Sequence, residues 1–234
     1  MTIWGKQVFE TLEELVRPTH TALIVIDMQN DFCTRGGYYD ANGRDVTGIA
    51  ATVPKIADLV EAARASDVLT IWIQQALLPD AAADSPAWLR RRTRGIHPPE
   101  WALFGTWGYE FVEHLTPLPG EPVVMKHRSS ALVGTPLDLI LRSNQIQTVA
   151  VTGCVTQGCV ESTARDATFL DYYVVLVADC VGTTDKLLHE ASLHCQQTRY
   201  DFATSELVAR AWQASQSGGP ISRARSRDES DLKL

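Results

Sequence analysis

The chain alternates short apolar runs with segments of helical period. Residues 22–26 (Ala-Leu-Ile-Val-Ile) are continuously apolar, and a run of that length without polar alternation predicts a strand buried on both faces. Residues 68–73, 122–125, 148–152, 172–177 and 200–203 predict five more strands. Between them, Ile56, Leu59, Val60 and Ala63 recur at i, i+3, i+4 and i+7, which predicts a helix over 54–65. Val160, Thr163, Ala164 and Ala167 give a second apolar face just after Cys159. Further helices are expected over 10–16, after Thr135-Pro136 with Leu137, Ile140 and Leu141 inward, over 186–197 behind Thr183-Thr-Asp185, and over 206–213 with Ser205 as cap. Strands alternating with helices predict an α/β fold on a parallel sheet with right-handed crossovers.

The pattern breaks in three places. Residues 1–20 read as a lead-in to a domain spanning 21–213. Residues 76–107 hold Pro79, Pro86, Pro98 and Pro99 with Trp88, Trp101, Phe104 and Trp107 but no period; such a stretch inside a domain reads as a lid or a subunit contact. Residues 214–234 are polar and rich in Gly, Ser and Arg, and are expected to be disordered.

Composition narrows the classes. With 234 residues and 45% apolar content, one full-sized core is expected. The net charge of −7 removes electrostatic support for nucleic-acid binding. The run Arg90-Arg-Arg-Thr-Arg94 therefore reads as a solvated or interface patch. No apolar run approaches membrane-spanning length, and residues 1–6 lack the apolar core of a signal peptide. Five cysteines without C-x-x-C spacing argue against a disulfide framework or a zinc ribbon and suggest a cytoplasmic setting.

Three residues carry candidate chemistry. Cys159 stands where a strand turns into a helix, among unpaired backbone N–H groups that favour thiolate. Asp27 follows the first strand and Lys126 the third. Each has a plainer reading: a packed core thiol, a turn cap and a surface lysine. In a parallel sheet, however, all three fall at the carboxyl rim where ligands bind. A carboxylate can take the thiol proton, and an ammonium holds the charges that result.

The segments Ile24-Val-Ile-Asp-Met-Gln-Asn-Asp-Phe32, Lys126 after a short strand, and Val151-Thr-Gly-x-x-Thr-x-x-Cys-Val-Glu-Ser-Thr-Ala-Arg-Asp-Ala167 resemble the isochorismatase-like cysteine hydrolases. The resemblance implies a three-layer α/β/α sandwich with a mainly parallel six-stranded sheet of Rossmann-like topology. It implies an Asp27–Lys126–Cys159 triad, a cis peptide between Cys154 and Val155, and oxyanion donors at the N–H groups of Val155 and Cys159. Isochorismatases proper lack the cysteine, so Cys159 points to C–N bond hydrolysis. The Asp-x-His metal site of nicotinamidases is missing from Ile73-Gln-Gln-Ala-Leu-Leu-Pro-Asp80, so neither metal nor other cofactor is expected.

The segments Asp31-Phe-Cys-x-x-Gly-Gly-Tyr-x-Asp40 and Gly105-Thr-Trp-Gly108 look most like the ureidoacrylate and biuret branch. The implied activity is a cysteine-dependent amidohydrolase cleaving a small ureide, carbamoyl or carboxamide through a thioester. Phe32 and Trp107 are expected pocket walls. Arg199, at the position of a pocket Gln in some biuret-type members, points away from biuret itself and toward a carboxylate-bearing or otherwise different substrate. The implied assembly is a homodimer or homotetramer. Open alternatives are a lactam-opening enzyme of the streptothricin hydrolase type, a catalytically silent binding module, and a redox protein pairing Cys154 with Cys159.

Overall fold

The computed structural model describes residues 1–92 and 100–216. Strands β1 (Thr21–Ile26), β2 (Leu69–Gln75), β3 (Val123–Lys126), β4 (Thr148–Cys154), β5 (Tyr173–Gly182) and β6 (Asp201–Ala203) form one sheet. Its order is β3-β2-β1-β4-β5-β6 and every neighbouring pair is parallel. The order reverses between β1 and β4, so a crevice opens at their carboxyl ends.

Alternation along the strands divides the core. Leu23 and Val25 of β1 pack with Trp72 against helix α1 (Val53–Ala65), through Ile56, Leu59, Val60 and Ala63, and against helix α5 (Ser205–Gln216), through Val208 and Trp212. Ala22, Ile24 and Ile26 face the other way with Ile71 and Ile73. They meet helices α2 (Leu137–Ser143), through Leu137 and Leu141, and α3 (Glu161–Phe169), through Ala164 and Ala167. Helices therefore cover both faces, the three layers expected. A helix α4 (Lys186–Gln196) starts at Asp185, whose side chain caps it by accepting the Leu188 N–H at 3.0 Å. Among the described residues no helix is long and apolar enough to cross a membrane.

Several boundaries differ from expectation. β5 runs past Val177 to Gly182, because Asp179 and Cys180 end the apolar run without ending the strand. Val151 faces Leu176, whereas Gly153 faces Val181, so β5 is bulged there. The Asp179 carboxylate accepts the Ser205 N–H and hydroxyl at 2.8 Å each. Thr204, not Ser205, takes the Leu207 N–H. Pro136 caps α2 from outside rather than entering its first turn. α5 continues to Gln216, whose amide donates to the Ala65 carbonyl at 2.7 Å, so residues 214–216 of the expected tail are helical. Its remainder, 217–234, and residues 93–99 of the expected lid lie outside the described residues. The lead-in forms a small hairpin of Thr2–Ile3 and Lys6–Gln7, then a turn of helix at Leu12–Leu15 closed by a Thr11–Glu14 capping box. Its Val16 carbonyl accepts the Trp212 indole N–H at 2.8 Å, which ties it to α5.

Gly153 fixes how closely β1 and β4 approach at the crevice. Its φ is +110°, and a Cβ built there would stand 2.0 Å from the Ile26 carbonyl oxygen. Gly153→Ala is expected to cost about 3 kcal/mol or more through combined overpacking and backbone strain. Urea denaturation measures this as a fall in midpoint at unchanged slope.

Candidate active site

Asp27 is the residue after β1, in the left-handed region with φ +54°, a conformation an aspartate tolerates better than most residues. Lys126 is the last residue of β3 and Gln75 the last of β2. Cys159 sits in the π-helical turn Thr156–Val160 that joins β4 to α3. Because β2 lies between β3 and β1, the Lys126 side chain reaches across the end of β2. Its Nζ meets Asp27 Oδ2 at 2.8 Å, Gln75 Oε1 at 2.8 Å, Cys159 Sγ at 3.1 Å and the Arg128 carbonyl at 3.1 Å. One buried nitrogen thus draws together the acid, the amine and the sulfur. The ammonium is fully enclosed, and only its carboxylate partner makes such burial tolerable.

The peptide between Cys154 and Val155 is cis. Beyond it the Gly158 and Val160 N–H groups turn back onto the Val155 carbonyl at 2.9 and 3.4 Å. The two nearby thiols differ sharply. Cys154 is buried and donates to the Asp27 carbonyl at 3.1 Å, whereas Cys159 is half-buried at the cavity. All five cysteines are free.

Charge in the site departs from the thiolate expected at a helix start. Burial, then the adjacent Asp27 charge, push the Cys159 thiol up to about 12, and Lys126 offsets only part of this. Burial likewise raises Asp27 against the pull of Lys126. Burial alone would depress Lys126, but the charges of Asp27 and Cys159 outweigh it and hold the ammonium above its usual value. The 2.8 Å contact of Lys126 with Asp27 sets an ion pair in the resting site, beside a thiol that burial holds protonated. Oδ1 of Asp27 has no partner at conventional hydrogen-bond geometry, and besides Lys126 the Cys159 thiol and the Gln75 backbone N–H are the groups near enough to ease the carboxylate's charge. Cys159 alkylation by iodoacetamide should accordingly accelerate across the alkaline range toward about 12. A rate that levels off near neutrality would contradict this.

The cavity over Cys159 holds about 100 Å³ and is lined by Asp27, Phe32, Gln75, Cys154, Val155 and Cys159 at its inner end, with Tyr39, Trp88, Arg91, Arg92 and Trp101 around it. A 150 Å³ cavity accommodates benzene, so this volume suits the reacting end of a small substrate, and the rest of a longer one extends past its mouth. Its far wall is braced by Asp31, whose carboxylate accepts the Tyr38 N–H at 3.0 Å and the Ala102 N–H at 2.6 Å. Gly108 lies against that carboxylate, where a Cβ would come within 2.2 Å. Asn30 adds a bond to the Trp107 carbonyl at 2.9 Å, and Gln29 one to the Tyr109 carbonyl at 2.7 Å. The segments 31–40 and 105–108 are thus two halves of one clasp.

Of the expected pocket residues, Phe32 lines the cavity. Trp107 does not: its ring is half exposed, and it serves the clasp through its backbone carbonyl. Trp88 and Trp101 stand in its place. Arg199 is exposed and is not a cavity residue. The arginine run is not a solvated patch throughout. Arg92 is buried and ion-paired with Asp84 at 2.5 Å, and Arg91 faces the cavity. Arg94 lies outside the described residues. Sequence reasoning missed Gln75, although a polar residue ending an apolar strand is the signal that exposed Asp27 and Lys126. Among the described residues no cluster of three or more His, Cys, Asp or Glu side chains could hold a metal ion.

Residues 21–204 match the isochorismatase domain. The chain belongs to the isochorismatase family. It is 40% identical to the ureidoacrylate amidohydrolase RutB of Methylorubrum extorquens over 169 residues, 68% of each chain. A cysteine hydrolase from Pseudomonas syringae superposes with a TM-score of 0.77 at 26% identity, over 86% of this chain and 96% of that one. N-carbamoylsarcosine amidase from Thermoplasma acidophilum gives 0.63 at 27% identity, over 80% and 97%. With these relatives the family member described here is a hydrolase of carbon–nitrogen bonds other than peptide bonds, an amidohydrolase acting on a small molecule.

Proposed function

We propose that this amidohydrolase cleaves a small ureide or carbamoyl compound with Cys159 as nucleophile, Asp27 as proton carrier and Lys126 as fixed counter-charge. The observation that carries this is the single ammonium within 3.1 Å of both the Asp27 carboxylate and the Cys159 sulfur, at the floor of a cavity sized for a carbamoyl group. Asp27 Oδ1 takes the thiol proton as the sulfur attacks the carbonyl carbon. The oxyanion forms against the Val155 and Cys159 N–H groups. Asp27 returns the proton to the leaving nitrogen, the C–N bond breaks, and an S-acyl enzyme remains. Water then adds to it, giving a proton to Asp27. The C–S bond breaks and the sulfur recovers that proton.

The raised Asp27 supports this role, because a carboxylate of ordinary acidity would be a weaker base toward a thiol. The similarity to RutB and to N-carbamoylsarcosine amidase supports the ureide or carbamoyl class over a lactam. The complete set of reactive groups speaks against a silent binding module, and the engagement of Cys154 with the Asp27 carbonyl speaks against a redox pair. The same reading carries no metal or cofactor and keeps the enzyme in a reducing cytoplasm, which five free thiols suit. It also makes the enzyme a homodimer or homotetramer, supported by exposed Leu139, Phe169 and Leu187. Sedimentation tests the assembly. An ammonia-release screen across ureides, carboxamides and lactams, the last followed by mass detection, tests the activity. Turnover of lactams alone overturns the ureide reading.

A further inference from the structure

The cavity has charge beyond what the reaction uses. At its floor the Asp27 carboxylate is neutralised by Lys126. Farther out stand three guanidiniums, of Arg91, Arg92 and Arg128, around the single carboxylate of Asp84. Arg92 takes Asp84 at 2.5 Å, with both side chains 3% exposed, and lies over the Trp101 ring at 4.4 Å. Arg128 donates to the His127 and Ala83 carbonyls at 2.7 and 3.1 Å and lies 3.9 Å from the same Asp84. Arg91 has no acidic partner among the described residues. Its guanidinium lies over Trp88 at 4.6 Å, on a ring that also carries Arg128 at 5.0 Å. Among the described residues this cluster sets three guanidiniums against one carboxylate, a local reversal of sign in a chain whose net charge is −7.

We infer that Arg91, an exposed residue that lines the same cavity as Cys159, is a specificity residue that receives a carboxylate on the substrate. This rests on the ureide reading above and sharpens it: the substrate is a short ureido acid whose ureido end reaches Cys159 while its carboxylate meets Arg91. The Arg91 guanidinium lies 4.6 Å from the centre of the Trp88 ring, a cation–π contact that restrains its N–H fork and lowers the ordering cost of meeting a planar carboxylate in two parallel bonds. Arg92 holds the wall and is spoken for by Asp84. Arg91, one residue earlier on the same helical segment, Pro86–Arg92, brings its charge to the cavity unspent.

The test compares 3-ureidopropionate with its uncharged counterpart 3-ureidopropionamide, using two readouts: ammonia release, with the product identified by mass so that only cleavage of the ureido group is counted, and protection of Cys159 from iodoacetamide. The wild-type protein should prefer the acid. Arg91→Gln should lower the acid-to-amide ratio of kcat/KM by about 10- to 100-fold, chiefly through a higher KM for the acid. Arg91→Lys should recover only part of it. Arg90→Gln, an exposed neighbour that does not line the cavity, should leave the ratio where it was. If the amide is turned over as well as the acid is, the carboxylate subsite is wrong and the ureide reading stands; equal shielding of Cys159 by the two also overturns the subsite. If neither is turned over while the acid still shields Cys159 in an Arg91-dependent way, the subsite stands and the ureide reading falls.

Discussion

Cys159→Ser should lower turnover by on the order of 10⁴-fold or more while leaving the fold unchanged. Serine differs from cysteine by one atom, and at the half-buried turn position it meets no new steric demand. Chemically the exchange is severe. Even the thiol, pushed up to about 12, needs Asp27 to take its proton. A hydroxyl is a far weaker acid, and among the described residues no histidine lines the cavity to compensate. The Lys126 ammonium, 3.1 Å from the sulfur, would donate to a neutral oxygen instead of steadying an anion. Ammonia release and a thermal melt on the same preparation check both halves. Turnover within tenfold of the parent protein would remove Cys159 as nucleophile.

The second large effect is on stability. Lys126→Met should destabilise the protein by about 3–5 kcal/mol, because it strips the ion-paired ammonium from a carboxylate that is 1% exposed. Asp27 must then either stay charged in an apolar site or bind a proton. Burial already raises Asp27 against the opposition of Lys126, and loss of the ammonium lifts it further. The sign follows. A folded-state pKa above the unfolded value of about 3.9 gives stability that is full below that value and fades as pH rises through the folded one. The deficit of Lys126→Met should therefore shrink on acidification and widen toward neutrality. Asp27→Asn added to Lys126→Met should recover much of the loss, since the unpaired charge is gone. Urea titrations of the single and double variants at two pH values decide it. Equal deficits at both pH values would mean that Lys126 does not hold a charged Asp27.

Much of the scaffold could be read in advance. The run Ala22 to Ile26 is apolar at every position because both sheet faces are covered, and a helix-covered strand is the simplest fate for such a run. Asp27 and Lys126 stand out because a charged residue at the end of such a strand has few reasons to be there. The walls were not legible. Trp88, Trp101 and Trp107 share one aperiodic stretch, and composition cannot say which ring turns inward. That choice is made by backbone bonds from Asp31, Asn30 and Gln29, formed over 70 residues away. Arg199 failed for a related reason: counting along the chain without the three-dimensional path does not locate a pocket. The protonation state of Cys159 failed because the local N–H groups were visible in the sequence while the enclosing carboxylate and burial were not.

The reactive groups hang from strand ends and a buried turn, whereas the surfaces that meet the rest of the substrate come from residues 76–107 and the short helices after β1. The Asp31 clasp is the seam between them. It accepts backbone N–H groups, Tyr38 and Ala102, and so places few demands on the side chains it holds. A descendant could exchange Trp88, Arg91 or Trp101 and be retargeted to a new molecule without disturbing the sulfur or its proton carrier. In this architecture appetite and chemistry are separately heritable.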